Sequence, residues 1–167
     1  MNIYIVRHAI AVERGTSGYE DDSQRPLTGA GRRKMKKISK GLERLGVKPD
    51  IILTSPFVRA RDTAKILGDR FDMTDKIYFS EHLIPPGNFE ALVFEIHEKY
   101  DLANVALVGH EPMLSSLVSW LTTGDTVARI TLKKGGVACL TSDSLYQDGR
   151  AVLEWLLTPA VMIGLVK

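Results

Sequence analysis

The chain has 167 residues, enough for one domain that buries roughly 70% of its unfolded surface, so we expect residues 1–167 to form a single domain. Its hydrophobic content of 44% and charged content of 25% are ordinary for a soluble globular protein. A net charge of +2 is too small to indicate nucleic-acid binding. The one cysteine, Cys139, excludes an internal disulfide and a cysteine-cluster metal site, and its apolar surroundings predict a buried thiol. No signal peptide or membrane-spanning run is visible, which predicts a cytoplasmic protein with no membrane partner.

The chain opens with an apolar, β-branched run. Asn2 to Val6 has the composition of a strand, and it is followed directly by Arg7 and His8. In open parallel α/β sheets, ligands bind outside the carboxyl ends of the strands. The sequence therefore predicts that Arg7 and His8 lie at a ligand-binding edge of a sheet.

The same pattern occurs twice more along the chain. The apolar run Ile51 to Thr54 is followed by a segment that contains Arg59, and the run Val105 to Val108 is followed by Gly109 and His110. Because the carboxyl ends of parallel strands share one edge, we expect Arg7, His8, Arg59 and His110 to meet there. Together they would hold an anion, most simply a phosphoryl group.

The connection between the first two strands contains a loop and a helix. The polar loop Glu13 to Pro26 either frames the predicted site or is mobile. Thr28 is a typical N-cap for a helix that runs to about Leu45 before Gly46. One face of this helix is strongly basic and is either a solvated surface or a docking surface for an acidic partner; its members are Arg32, Arg33, Lys34, Lys36, Lys37, Lys40 and Arg44.

The remaining segments continue the alternation of strands and helices. Ser55-Pro56 predicts an N-cap followed by proline at the first helical position, which places Arg59 in the first turn of the next helix. Asp148-Gly149 predicts a hairpin turn between the last two strands, which would form an antiparallel edge. The other predicted elements are a short strand at 77–79, helices at 89–99 and 112–121, and strands at 136–141 and 151–157. This order predicts a three-layer α/β/α sandwich around a mostly parallel sheet.

Two arginines and two histidines form a sufficient set for phosphoryl transfer. Arginines supply forked donors that stay charged near neutral pH, and a histidine can attack phosphorus itself and form a covalent intermediate. A second histidine, when protonated, can bind phosphate and stabilise developing charge. The chemical competitor is a metal site built from His8, His110 and a carboxylate such as Asp22 or Glu111. Two nearby arginines argue against it because they would repel a divalent cation.

These motifs resemble those of a known family. Arg7-His8 is similar to the Arg-His-Gly signature of the histidine phosphatase superfamily, the phosphoglycerate mutase-like enzymes, with Ala9 in place of the usual glycine. Residues 55–60 resemble the family's second arginine motif, and Gly109-His110 resembles its second histidine motif. Within this superfamily the chain is most similar to the SixA-like phosphohistidine phosphatases, on the basis of its small size and the segments 22–28 and 155–159.

The resemblance implies a phosphoglycerate mutase-like fold and a site with defined roles. It implies that His8 is the nucleophile, that Arg7, Arg59 and His110 bind the phosphoryl oxygens, and that neither a metal nor an organic cofactor is needed. The implied substrate is a protein that carries phosphohistidine, such as a phosphocarrier or phosphotransfer domain. Larger relatives use an acidic proton donor; Glu81 falls near that place, but a structural role is at least as consistent with its position.

Other functions remain open at this stage. A small-molecule phosphomonoesterase of the same superfamily would use the same four residues. A non-catalytic module that binds phosphoproteins would need the anion site but not the nucleophile. A mutase is less consistent with so short a chain, because little of it remains to hold and reorient a second substrate position.

Overall fold

The computed structural model describes residues 1–100, 104–143 and 150–166, and its centre is a six-stranded sheet with the order β3-β2-β4-β1-β5-β6. The elements in chain order are β1 (Asn2–Arg7), α1 (Gly29–Arg44), β2 (Ile51–Thr54), α2 (Val58–Phe71), β3 (Ile77–Phe79), α3 (Phe89–Lys99), β4 (Asn104–Gly109), α4 (Met113–Thr123), β5 (Val137–Thr141), β6 (Val152–Leu157) and α5 (Pro159–Gly164).

The sheet is parallel except at one edge. Strands β1, β4, β2 and β3 pair in parallel, whereas β5 pairs antiparallel with both β1 and β6. The predicted mixed sheet with an antiparallel edge is therefore confirmed. The predicted hairpin turn at Asp148-Gly149 lies outside the described residues.

Side chains of the central strands alternate between two cores, which accounts for the three layers. Ile3 and Ile5 of β1 pack with α3 and α4 on one face of the sheet. Tyr4 and Val6 pack with α1, α2 and α5 on the other face. Successive side chains of a strand point to opposite faces, so a strand buried on both faces needs an almost continuous apolar run. The predicted α/β/α sandwich is confirmed.

Local signals at the helix termini were only partly interpreted correctly. The Thr28 side chain caps α1 by accepting a hydrogen bond from the Gly31 N–H at 2.9 Å, as predicted. The prediction that Ser55-Pro56 begins α2 is wrong: the helix begins at Val58, its N-cap is Phe57, and no side chain caps it. Ser55 is instead buried against a histidine of the neighbouring strand end. Helix α5 was not predicted at all.

The basic face of α1 is only partly free. Arg32 forms an ion pair with Asp62 of α2, and Arg44 donates a hydrogen bond to the Leu165 carbonyl. Cys139 is buried, as predicted, and burial, together with the charge of Glu154, raises the pKa of its thiol to about 11. Of the helices within the described ranges, none is both long and apolar enough to span a bilayer.

Candidate active site

His8 lies immediately beyond the carboxyl end of β1, where backbone bonds hold it. Its N–H donates to the Gly109 carbonyl at 3.0 Å, and its side chain is buried. The ring Nδ1 lies 2.7 Å from the Ala9 carbonyl oxygen. Because a carbonyl only accepts, Nδ1 must carry the ring proton, and in the neutral ring Nε2 then keeps a free lone pair. No described residue forms a hydrogen bond with that Nε2.

His110 follows β4, the parallel neighbour of β1. Arg7 and Gly109 are paired in register, so the residues that follow them are neighbours, and the His8 and His110 ring centroids lie 5.1 Å apart. His110 Nε2 is 2.9 Å from the Ser55 hydroxyl, which extends the cluster to the end of β2. The buried Nδ1 of His110 has no partner among the described residues.

Arg59 lies in the first turn of α2 and is almost completely buried. Its guanidinium carbon stands 5.0 Å from the centroid of the Phe57 ring. It donates to Asp22 twice: to the backbone carbonyl at 2.6 Å and to the carboxylate at 2.9 Å. Asp22 belongs to a short 3₁₀ turn, Asp22–Gln24, within the polar loop, so this pair joins the loop to the site.

The surroundings of both histidines favour their neutral form. Burial, reinforced by the charges of Arg59 and Arg7, lowers the pKa of His8 to about 3, although the bond to Ala9 opposes this shift. Burial and the charge of Arg59 likewise lower the pKa of His110 to about 3. Charging a buried imidazole beside cations is unfavourable. The protonated form of His110, which could bind phosphate as a cation, is therefore disfavoured near neutral pH.

Asp22 is the anion that these cations share. Partial burial by itself raises the pKa of its carboxyl. Hydrogen bonds from Arg14 and Arg25 and the charge of Arg59 outweigh that effect and hold the pKa well below its usual range. Arg14 lies 3.0 Å from one carboxylate oxygen and Arg25 lies 2.8 Å from the same oxygen. The carboxylate is therefore ionised and organises three guanidinium groups.

Buried side-chain nitrogen atoms of three predicted residues have no partner within the described part of the chain. They are Nε of Arg7, Nε of Arg59 and Nδ1 of His110. A buried donor without an acceptor costs about 1–3 kcal/mol, and such groups call for an explanation. An oxyanion bound among them would supply the missing acceptors.

One cavity contains all four predicted residues. Its volume is about 680 Å³, and Arg7, His8, Arg59 and His110 line it. The sequence alone did not decide whether the polar loop Glu13 to Pro26 frames the site or is mobile. In the structure this loop supplies part of the cavity wall. The wall residues that sequence reasoning did not assign to the site are Glu13, Arg14, Asp21, Ser23, Arg25, Phe57, Pro85, Pro112 and Lys134.

Three carboxylates considered from the sequence have different places. Glu81 is exposed and does not line the cavity, so its exclusion from the predicted catalytic set agrees with the geometry. Asp22 and Glu111, considered as metal ligands, do line it. Within residues 1–100, 104–143 and 150–166, no group of three His, Cys, Asp or Glu side chains is arranged to hold a metal ion. Asp22 binds arginines instead, a pairing that the motif residues 22–25 could have suggested.

Comparisons with known proteins identify the family of this chain. Residues 3–84 match the model of the histidine phosphatase superfamily (branch 1). An uncharacterized protein of Picosynechococcus sp. is 35% identical over 144 residues, covering 85% of this chain and 86% of that protein. The phosphohistidine phosphatase SixA of Escherichia coli is 26% identical over 161 residues, covering 95% of this chain and 94% of SixA.

A solved structure extends the similarity to the fold. The structure of the protein histidine phosphatase SixA complexed with tungstate has a TM-score of 0.77 and 27% identity, and the match covers 97% of this chain and 99% of that one. The chain therefore belongs to the histidine phosphatase superfamily, as a SixA-like histidine-dependent phosphatase.

Proposed function

We propose that this protein removes the phosphoryl group from phosphohistidine on a protein substrate, by way of a covalent intermediate on Nε2 of His8 and without a metal ion. The observation that carries the proposal is the state of His8. Its proton is fixed on Nδ1 by the Ala9 carbonyl, and its lowered pKa keeps the ring neutral. A neutral ring with a free Nε2 lone pair is the form of histidine that attacks phosphorus.

In the first step, the lone pair of Nε2 forms a bond to phosphorus while the P–N bond of the substrate breaks. The electron pair of that bond goes to the leaving imidazole, which already carries a proton on its other nitrogen and so departs neutral. Arg7, Arg59 and the Nδ1–H of His110 donate to the phosphoryl oxygens. Such preorganised donors stabilise the charge that is spread over these oxygens in the transition state.

His110 does not need to be charged for this role. If the Ser55 hydroxyl donates to Nε2 of His110, the neutral ring carries its proton on Nδ1, the buried atom that has no partner. His110 then acts as a neutral donor toward the oxyanion.

In the second step, water attacks the phosphorus of phospho-His8 and the P–Nε2 bond breaks. Its electron pair returns to Nε2, both protons of the water remain on the released phosphate, and His8 is neutral again. A leaving imidazole needs less help from a general acid than an alkoxide does. Glu81 does not line the cavity, which is consistent with that chemistry.

The relatives support the choice of substrate. The Escherichia coli relative is a phosphohistidine phosphatase, and a SixA structure similar in fold binds tungstate, a tetrahedral oxyanion. The cavity of this chain is bordered by Arg14, whose side chain is 80% exposed. A site open on that side suits a side chain presented by another protein better than a metabolite that must be enclosed.

The test is a rapid-quench experiment with a phosphohistidine peptide and, separately, an aryl phosphate, each in excess chelator. We expect phosphate release from both, preceded by a burst of acid-labile phosphate bound to the enzyme. We expect His8→Ala to lose at least about 10³-fold in kcat and to show no burst. Glu81→Gln is the matched control and should keep wild-type rates.

Two outcomes would contradict the proposal. Undiminished turnover by His8→Ala would rule out the covalent mechanism. Loss of activity in the presence of chelator would show that the reaction needs a metal ion. Efficient hydrolysis of small phosphomonoesters, with no hydrolysis of the phosphohistidine peptide, would favour the small-molecule phosphomonoesterase instead.

A further inference from the structure

A second concave surface adjoins the active-site cavity and is lined by cations. It has a volume of about 420 Å³, and we call it the lysine groove after Lys34, Lys133 and Lys134, which line it together with Arg7. Its other wall is formed by Ile10 and residues 158–160. The groove and the cavity are neighbours, because Arg7 and Lys134 line both.

Two of the lysines are fixed to the strand that carries the nucleophile. The turn that contains Lys133 and Lys134 is bonded to the end of β1: the Gly135 N–H lies 3.1 Å from the carbonyl oxygens of Arg7 and His8. The Arg7 N–H donates in turn to the Gly136 carbonyl at 3.1 Å. Gly135 has a φ of +78°, a conformation that glycine adopts without strain. The backbone therefore holds this turn at a constant position relative to His8.

The third lysine, Lys34, belongs to α1, and the packing of this helix brings it to the groove. A Cβ atom added at Gly31 would lie 2.0 Å from the Ile10 carbonyl oxygen, so the helix approaches the segment after His8 as closely as only glycine permits. Lys34, one turn further along the same side of α1, lies at the groove. Separate elements thus bring their lysines to the same surface.

The groove differs from the cavity in its charge balance. The cavity wall includes carboxylates, among them Asp22 and Glu111, whereas the described residues that line the groove include no acidic side chain. Within the described residues, Lys34, Lys133 and Lys134 take part in no ion pair. Clustered cations raise the local potential and favour an anionic ligand.

We propose that the lysine groove docks an acidic segment of the phosphoprotein, next to the residue that enters the cavity; this inference rests on the proposed function. Charge complementarity beside a site raises the association rate and selects partners. Among the residues that the structure describes, no aromatic side chain lines the groove, and stacking on aromatic rings is what most single-stranded nucleic-acid sites use. An acidic protein segment is therefore the occupant that the surface fits.

The test uses two synthetic peptides with one central phosphohistidine. One has Asp and Glu on both sides of it, and the other has Asn and Gln at the same positions. For the wild-type protein we expect kcat/KM to be about tenfold higher for the acidic peptide at low ionic strength and the advantage to shrink with added salt. The double variant Lys34→Glu/Lys133→Glu should lose this preference and hydrolyse an aryl phosphate at the wild-type rate.

The matched control is Lys40→Glu/Lys65→Glu, which changes net charge equally at two exposed positions outside the groove. It should keep the preference for the acidic peptide. Equal kcat/KM for the two peptides in the wild type, or loss of preference in the control as well, overturns the groove assignment and leaves the proposed function intact. Competition by single-stranded nucleic acid that exceeds competition by the unphosphorylated acidic peptide also overturns it.

Failure of the proposed function gives a different pattern. In that case neither phosphohistidine peptide is hydrolysed, although the aryl phosphate is. The groove, as a docking site for a phosphoprotein substrate, is then overturned together with the function.

Discussion

The cavity has two sides that differ in how they are built. The strand-end side consists of Arg7, His8 and His110, with Arg59 beside them; their backbones are held by the sheet and α2. The loop side consists of Arg14, Asp22 and Arg25, which are held mainly to one another through the Asp22 carboxylate. Arg59 is the link, since its guanidinium is bound to Asp22.

Because the two sides of the cavity differ in burial, we expect them to contribute differently to catalysis. The side chain of Arg59 is 4% exposed and that of Arg14 is 80% exposed, although both form an ion pair with the same carboxylate. Interactions with a charge are stronger where water is excluded, and exposed ion pairs contribute little. The comparison teaches that the strand-end side should carry the chemistry while the loop side sets the charge that the incoming anion meets.

The largest expected effect comes from removing the buried arginine. Arg59→Ala should lower kcat/KM for an aryl phosphate by about 10²–10³-fold, because it removes a preorganised donor from a desolvated site. Arg14→Ala, which removes an arginine from the same carboxylate, should change kcat/KM by less than about threefold. Steady-state kinetics of the two variants measure the contrast. Equal losses would mean that both sides of the cavity contribute alike.

A second prediction concerns the support behind the strand-end side. Gly31→Ala places a Cβ against the Ile10 carbonyl, 2.0 Å away in the present geometry, and backbone must move. We expect a loss of about 2–3 kcal/mol in the free energy of unfolding, measured with denaturant. Gly29→Ala in the same helix is the control, since the nearest atom to its Cβ is the end of the Arg33 side chain at 3.4 Å. It should be neutral or slightly stabilising.

A third prediction follows from the two histidines. Their pKa values fall from about 6.5 in the unfolded chain to about 3 in the native state. Between these values the unfolded chain binds more protons, so the free energy of unfolding should decrease as pH falls from about 6.5 toward 3. The slope is at most about 1.4 kcal/mol per pH unit for each histidine.

Denaturant titrations across that pH window measure this slope. His8→Asn and His110→Asn should each flatten it, because each removes one group that takes up a proton on unfolding. A wild-type stability that is constant from pH 6.5 to 4 would contradict the burial argument. The Asp22 carboxyl, whose pKa is held low, contributes loss of stability only below its unfolded value of about 3.9.

The smallest expected effect tests the loop side itself. Asp22→Asn removes the negative charge that Arg14, Arg25 and Arg59 share, and it keeps the backbone carbonyl that also binds Arg59. An incoming phosphate should then meet a more positive cavity, so we expect inorganic phosphate to inhibit at a concentration a few-fold lower. Inhibition constants measure this. Weaker phosphate binding would mean that Asp22 acts chiefly by holding the arginines in place.

Much of the fold was readable in the sequence because strands and helices have distinct apolar periods. The central residues of β1, β2 and β4 are almost continuously apolar, as strands buried on both faces must be. In α1, the buried apolar residues Met35, Ile38 and Leu42 recur at helical spacing, and Thr28 caps the helix. Ser55-Pro56 gave a wrong start for α2 because capping propensity is a local property. The Ser55 hydroxyl is instead hydrogen-bonded to His110, which lies 55 residues away along the chain.

The sequence by itself determined which residues follow the ends of three parallel strands, and hence that Arg7, His8 and His110, with Arg59, could face one anion. Only the tertiary structure decided that Asp22 binds Arg59, that burial favours the neutral form of His110, and that Lys34 joins Lys133 and Lys134 in one groove. The physical reason is that short-range sequence patterns locate the strands and the residues that follow them, whereas ion pairs and desolvation depend on which distant segments the fold brings together.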